Sequence, residues 1–172
     1  MFSLFYPTFY FERAVDISPD LLRSLGISAI LTDLDDTLTT HGCQQLAPEY
    51  ALWLQTLRDA GISVSVLSNN TEERTRPFCE RNGLNYFCKA KKPLPGRAKA
   101  AARALGLSRE QVLVLGDQIF TDVLCGRFAG MRTAAVRPIG CRATRWIAVK
   151  RILEKPIWRS YFRKIRSGGE NL

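Results

Sequence analysis

Residues 29–40 read AILTDLDDTLTT. An apolar run leads directly into three carboxylates, Asp33, Asp35 and Asp36. Like charges crowded at a strand end repel one another and are costly unless a cation lies among them. A solvated loop would splay them into water, whereas a functional site would gather them around a metal ion.

Similar apolar runs recur at 62–68 (ISVSVLS), 84–88 (LNYFC), 112–116 (VLVLG) and 132–136 (RTAAV). Helical periodicity fills the gaps. A short helix is expected over 18–26, with Ser18 as cap, Pro19 at the first position and Gly26 past the end. Others are expected over 48–61, 72–82 (with Pro77 shortening or kinking it), 95–106 and 120–130. Ser108 and Gln111 have the spacing of a capping box. Short, almost wholly apolar strands alternating with helices predict an α/β protein, a Rossmann-like three-layer α/β/α domain with a parallel sheet of about five strands. Ligands of such sheets bind at the carboxyl ends of the strands. The expected organisation is an aromatic arm and short helix (1–27), a catalytic core (28–140) and a basic helical tail (141–172).

With 172 residues, 46% of them hydrophobic and 24% charged, the chain suits one globular domain. Its net charge of +9 favours anionic partners. The charge is concentrated: from Arg142 to Leu172 there are nine Lys or Arg against Glu154 and Glu170. In the tail, Trp146, Val149, Leu153 and Ile157 share one helical face, with Lys150, Arg151 and Lys155 off it. This describes either a helix packed on the sheet with a solvated basic back or an amphipathic element for an anionic surface. Cys43, Cys79, Cys88, Cys125 and Cys141 form no CxxC and read as free thiols of a reducing compartment. A single histidine, His41, rules out multi-histidine zinc sites. The aromatic N-terminus lacks a basic n-region, and no stretch approaches the roughly 18 apolar residues of a membrane span. The expected location is cytoplasmic, including the inner face of the membrane.

Each strand places polar groups at the same sheet edge. The first ends in Asp33-Leu34-Asp35-Asp36-Thr37 and the second in Ser68-Asn69-Asn70. The third is followed by Lys89, Lys91 and Lys92-Pro93. The fourth ends in Gly116-Asp117, with Asp122 at the start of a helix. Phosphoryl transfer through a covalent intermediate needs a carboxylate nucleophile, a second carboxyl to shuttle a proton, donors for phosphate oxygens and a hard cation. An oxygen-rich donor set with one histidine suits Mg²⁺.

The order DxDxT, strand-end Ser, Lys-Pro and GDxxxxD resembles the haloacid dehalogenase superfamily. "LTDLDDTLTT", "VLSNNTEER", "KAKKPLPGRA" and "GDQIFTDVLCGRFAGMRTAAVRPI" resemble its YqeG-type branch (subfamily IIIA), which is similar to phosphatidylglycerophosphate phosphatases. The resemblance implies a Mg²⁺-dependent phosphohydrolase. Asp33 would be the nucleophile and Asp35 the proton shuttle, with the Asp35 backbone carbonyl on the metal. Ser68 and Lys92 would hold the phosphoryl oxygens, with Thr37 and Asn69 in the phosphate-binding set through the loops they support. Asp33, Asp117 and Asp122 complete the metal set. Asp36 stands where the family often has Gly or Asn and is read as structural.

Residues 38–67 and 69–91 leave no room for an inserted cap domain. An uncapped site admits a phosphate carried on something large, and the basic tail biases the choice toward a phospholipid at an anionic membrane. Nucleic acid ranks lower, because no RNA-binding motif is present. The alternative is a catalytically weak scaffold that binds RNA or anionic membrane through its tail.

Overall fold

The computed structural model describes residues 2–140 and 145–167. Cys141, Arg142, Glu170 and the Trp146 side chain lie outside what is described. The strands are β1 (Phe9–Phe11), β2 (Ala29–Thr32), β3 (Ser63–Leu67), β4 (Asn85–Phe87), β5 (Val112–Gly116) and β6 (Arg132–Val136). The helices are α1 (Pro19–Ser24), α2 (Pro48–Asp59), α3 (Glu72–Arg81), α4 (Gly96–Ala104), α5 (Leu124–Ala129) and α6 (Arg145–Ser167). All strand pairs are parallel, in the order β1-β6-β5-β2-β3-β4. The sixth strand comes from the aromatic arm: Phe9–Phe11 pairs with Ala134–Val136 at one edge.

Alternate residues of each strand face opposite layers. Ile30 and Val66 pack with Tyr50, Trp53, Leu54 and Leu57 of α2 and Phe78 of α3. Ala29, Leu31 and Val114 pack with Ala98, Ala101 and Ala102 of α4 and Cys125 of α5. Small alanines let α4 lie close to the sheet. Ser18 caps α1 by accepting the Leu21 N–H, and Ser108 and Gln111 form their capping box. Helix α3 runs through Pro77. Chain order reverses at β2, which lies between β3 and β5 with Thr32 level with both Val66 and Leu115. The crevice at a switch point of this kind is the usual ligand site of an open parallel sheet.

Helix α6 buries a face rotated from the one its apolar period predicts, the two sharing Ile157. Glu154, Ile157 and Tyr161 are buried, whereas Val149 and Leu153 are 47% and 58% exposed. The arm decides the orientation. Tyr10 stacks edge-on against Trp158 and Phe162, Tyr6 against Tyr161, and the Tyr6 hydroxyl lies 2.7 Å from Ser160 Oγ. Tyr6 and Tyr10 of the arm therefore hold α6, while Phe9 and Phe11 pack against the core and Phe2 and Leu4 are left exposed.

Candidate active site

Four strand ends converge on one cleft. Asp33 follows β2, and its N–H donates to Leu115 O of β5 at 2.8 Å. Ser68 and Asn69 follow β3, Lys92 lies in the loop after β4, and Asp117 follows β5. Asp122 sits in a π turn, Ile119–Val123, that leads into α5. Turns of this kind recur at functional sites. Gly116 allows the approach: a Cβ there would meet Asp122 Cγ at 2.2 Å.

The Lys92 ammonium is buried and bridges two carboxylates, at 2.8 Å from Asp33 Oδ1 and 2.6 Å from Asp122 Oδ1. Asn69 holds the lysine's backbone, accepting the Lys92 N–H at 2.7 Å and donating to its carbonyl at 3.2 Å. Ser68 is buried on the cleft wall, and its Oγ accepts the Asn70 N–H. Thr37 is fully buried beneath the acid loop, with no partner for Oγ1 among the described residues. Lys89 and Lys91 are exposed, in left-handed conformations at φ 48° and 55°.

Asp33, Asp117 and Asp122 bring carboxylate oxygens within 4.8 Å of one another. Burial raises the Asp33 carboxyl to about 6, against the pull of Lys92. Burial also pushes Asp117 well above the carboxylate range, reinforced by the charges of Asp122 and Asp33. Lys92 stays above its ordinary value: burial works against the ammonium, but Asp122 and Asp33 more than offset it.

The three acids are not equivalent as ligands. Asp122 is fully partnered, because Oδ1 takes Lys92 while Oδ2 takes the Gln118 N–H and the Thr121 hydroxyl. Asp117 is buried with Oδ2 on Arg151 at 3.1 Å and, among the described residues, no partner for Oδ1. An orphaned carboxylate oxygen beside a second carboxylate is the arrangement a divalent cation satisfies.

Asp35 lies on the rim. Oδ1 receives Arg74 at 2.6 Å and the Gly42 N–H at 3.1 Å, and Oδ2 receives Asn70 at 2.6 Å. His41 Nδ1 is 3.7 Å from Asp35 Oδ2 and half exposed. Asp36 turns the loop at φ 62°, a left-handed conformation open to Gly, Asn and Asp. The sequence pattern does not mark Arg74, Arg151 or Lys150, which lines the cleft, as site residues. Arg74 follows the Ser68-Asn69-Asn70 loop closely enough that its position at the start of α3 was a usable signal. Arg151 carried no such signal.

The cleft is an open cavity of about 160 Å³ lined by Asp33, Asp35, His41, Ser68, Asn70, Lys92 and Lys150 among others. Between β2 and β3 there is only a loop and α2, and between β3 and β4 only α3, so neither connection carries an inserted domain over it.

Residues 10–130 match the haloacid dehalogenase-like hydrolase family. The chain is 34% identical over 137 residues to the "probable phosphatase YqeG" of Bacillus subtilis (strain 168), covering 80% of each. Similar solved structures include the cobalt-bound deoxy-D-mannose-octulosonate 8-phosphate phosphatase YrbI of Haemophilus influenzae. Its TM-score is 0.53 at 23% identity, over 64% of this chain and 68% of that one. A HAD phosphatase of Thermococcus onnurineus gives 0.50 at 21%, over 66% and 58%. The family match runs from the edge strand β1 to the end of α5 and so takes in every strand end that feeds the cleft: the chain belongs to the haloacid dehalogenase-like hydrolases.

Proposed function

We propose that this hydrolase is a phosphatase that cleaves phosphate monoesters with Asp33 as nucleophile. The observation that carries the reading is the buried Lys92 bridge between Asp33 and Asp122, set beside the orphaned Oδ1 of Asp117. Lys92 holds Asp33 in place and supplies positive charge where phosphoryl oxygens arrive. An Asp33 oxygen bonds to phosphorus while the ester oxygen leaves, taking its proton from Asp35. A water then attacks phosphorus, Asp35 takes back the proton, and the bond to Asp33 breaks to release phosphate. Ser68 donates to a phosphoryl oxygen, and Asn69 and Thr37 support the loops around it. Asp33, the Asp35 carbonyl and Asp117 Oδ1 would hold Mg²⁺, with Asp122 serving chiefly as the anchor of Lys92. Bound there, the cation neutralises charge between carboxylates and phosphate.

An uncovered cleft suits a phosphate on a large carrier, and the outer face of α6 favours a lipid. Val149, Ile152 and Leu153, which flank the cleft-lining Lys150 in the chain, are exposed, and Lys155, Arg159, Arg163 and Arg166 follow along the helix, exposed as well. Apolar side chains followed by cations fit an anionic bilayer surface better than a polyanion in water. The substrate class we favour is a phosphatidylglycerophosphate-type phospholipid, met at the inner membrane face.

The test is phosphate release from p-nitrophenyl phosphate, then from phospholipid phosphates in vesicles, with Mg²⁺ or EDTA, for wild type and Asp33→Asn. Turnover that needs the metal and Asp33 supports the reading. Equal rates in both proteins remove Asp33 from its role, and absence of turnover on every substrate favours the scaffold.

A further inference from the structure

Arg151 lies on α6, outside the sheet and every strand-end loop, yet it reaches the acid cluster. Its Nη2 is 3.1 Å from Asp117 Oδ2 and 3.1 Å from Asp36 Oδ2. Both carboxylates are buried, with side chains 0% and 3% exposed. Asp36 is itself tightly placed: Oδ1 accepts the His41 N–H, its carbonyl accepts the Ile139 N–H, and a Cβ at Gly140 would come within 2.5 Å of Oδ1. One guanidinium nitrogen of Arg151 is therefore shared between the Asp36 loop and Asp117.

We propose that Arg151 is a positioning residue for the cation site. By occupying Oδ2 of Asp117 it fixes the carboxylate's rotation and leaves Oδ1, the oxygen without a partner among the described residues, as the one ligand atom presented to the cation. A carboxylate free to turn would meet the cation with either oxygen and lose orientation on every encounter, which is why partners behind a ligand raise metal affinity. The same contact fastens α6 to the loop that carries Asp33 and Asp35. Cation binding and α6 seating are then linked, and each strengthens the other by the same factor. A second anchor seats α6 through a different contact: Glu154, buried, accepts the Phe120 N–H at 3.0 Å. This inference rests on the reading of Asp33 and Asp117 as cation ligands.

The experiment is titration of the full chain with Mn²⁺ by calorimetry, for wild type, Arg151→Ala, Arg151→Lys and Glu154→Gln. Hydrogen exchange of residues 145–167 is measured with and without Mg²⁺, and circular dichroism checks folding. The expected result is a roughly ten- to hundred-fold weaker Mn²⁺ affinity in Arg151→Ala. Arg151→Lys should recover part of the loss, and Glu154→Gln should stay near wild type. Mg²⁺ should slow exchange in α6 of wild type and not of Arg151→Ala. Equal affinity in wild type and Arg151→Ala overturns the proposal and leaves the metal reading intact. So does an equal loss in Glu154→Gln, which would assign the effect to loosening of α6 alone. Wild type that binds no divalent cation overturns both. If Arg151→Ala does not fold, Arg151→Lys decides: an affinity between wild type and a ten-fold loss supports the role, and unchanged affinity removes it.

Discussion

The Lys92 ammonium lies 2.8 Å from Oδ1 of Asp33, a residue 59 positions earlier in the chain, with its side chain 2% exposed. A buried charge at such a place is retained only with its partners. Removing the lysine leaves Asp33 and Asp122 facing each other without compensation. Lys92→Ala should cost about 3–5 kcal/mol in urea unfolding as well as activity. Adding Asp122→Asn to it should recover part of the stability and none of the turnover. A single variant as stable as wild type would contradict the bridge.

Asp33→Asn keeps the shape of the side chain and removes the nucleophile. Activity on p-nitrophenyl phosphate should fall at least about 10³-fold while the melting temperature is kept or raised, since a buried carboxylate is lost. Steady-state rates and thermal melts on the same preparation check both halves.

Stability should depend on pH in a direction that metal reverses. Asp33 titrates near 6 in the folded chain, and Asp117 is also raised, both above their unfolded values. The Asp33 contribution is fully present below about pH 4 and is lost as pH rises through about 6, and that of Asp117 is lost in the same direction. Glu154, pushed up to about 7 by burial, acts in the same direction. In EDTA, the melting temperature should fall from pH 5 to pH 8. Mg²⁺ binds the ionised acids, so it should add little at pH 5 and most at pH 8. Glu154→Gln should flatten the part of the slope that Mg²⁺ does not restore. Equal Mg²⁺ increments at both pH values would count against ionised Asp33 and Asp117 as ligands.

Arg74 and Asn70 hold Asp35 at 2.6 Å each. Arg74→Ala should lower kcat by about ten-fold through misplacement of the proton shuttle, with KM changed little. A loss confined to KM would instead make Arg74 a substrate-binding group.

On the outer face of α6, Ile152→Glu with Leu153→Glu should weaken co-sedimentation with vesicles rich in anionic phospholipid and leave p-nitrophenyl phosphate turnover unchanged. Neutral vesicles and added salt should weaken binding of the wild type as well. Binding that ignores both would point away from α6.

What the chain states locally could be read locally. The strands over 29–32, 63–67, 85–87, 112–116 and 132–136 follow from apolar runs between turn signals. Parallel pairing puts their polar ends at one edge, so Asp33, Ser68, Lys92 and Asp117 could be grouped before any geometry was known. Which oxygen each acid exposes was not legible, because hydrogen-bond partners come from distant segments. Asp122 turned out saturated and Asp117 half-free. Helix α6 shows the limit most clearly. Its period was visible, but several faces carry apolar residues, and period alone cannot choose among them. The choice fell to Tyr6 and Tyr10 of the arm and to two buried polar contacts, Glu154 on the Phe120 N–H and Arg151 on Asp36 and Asp117. Those contacts span 34 to 154 positions of sequence and come into being when the chain closes on itself.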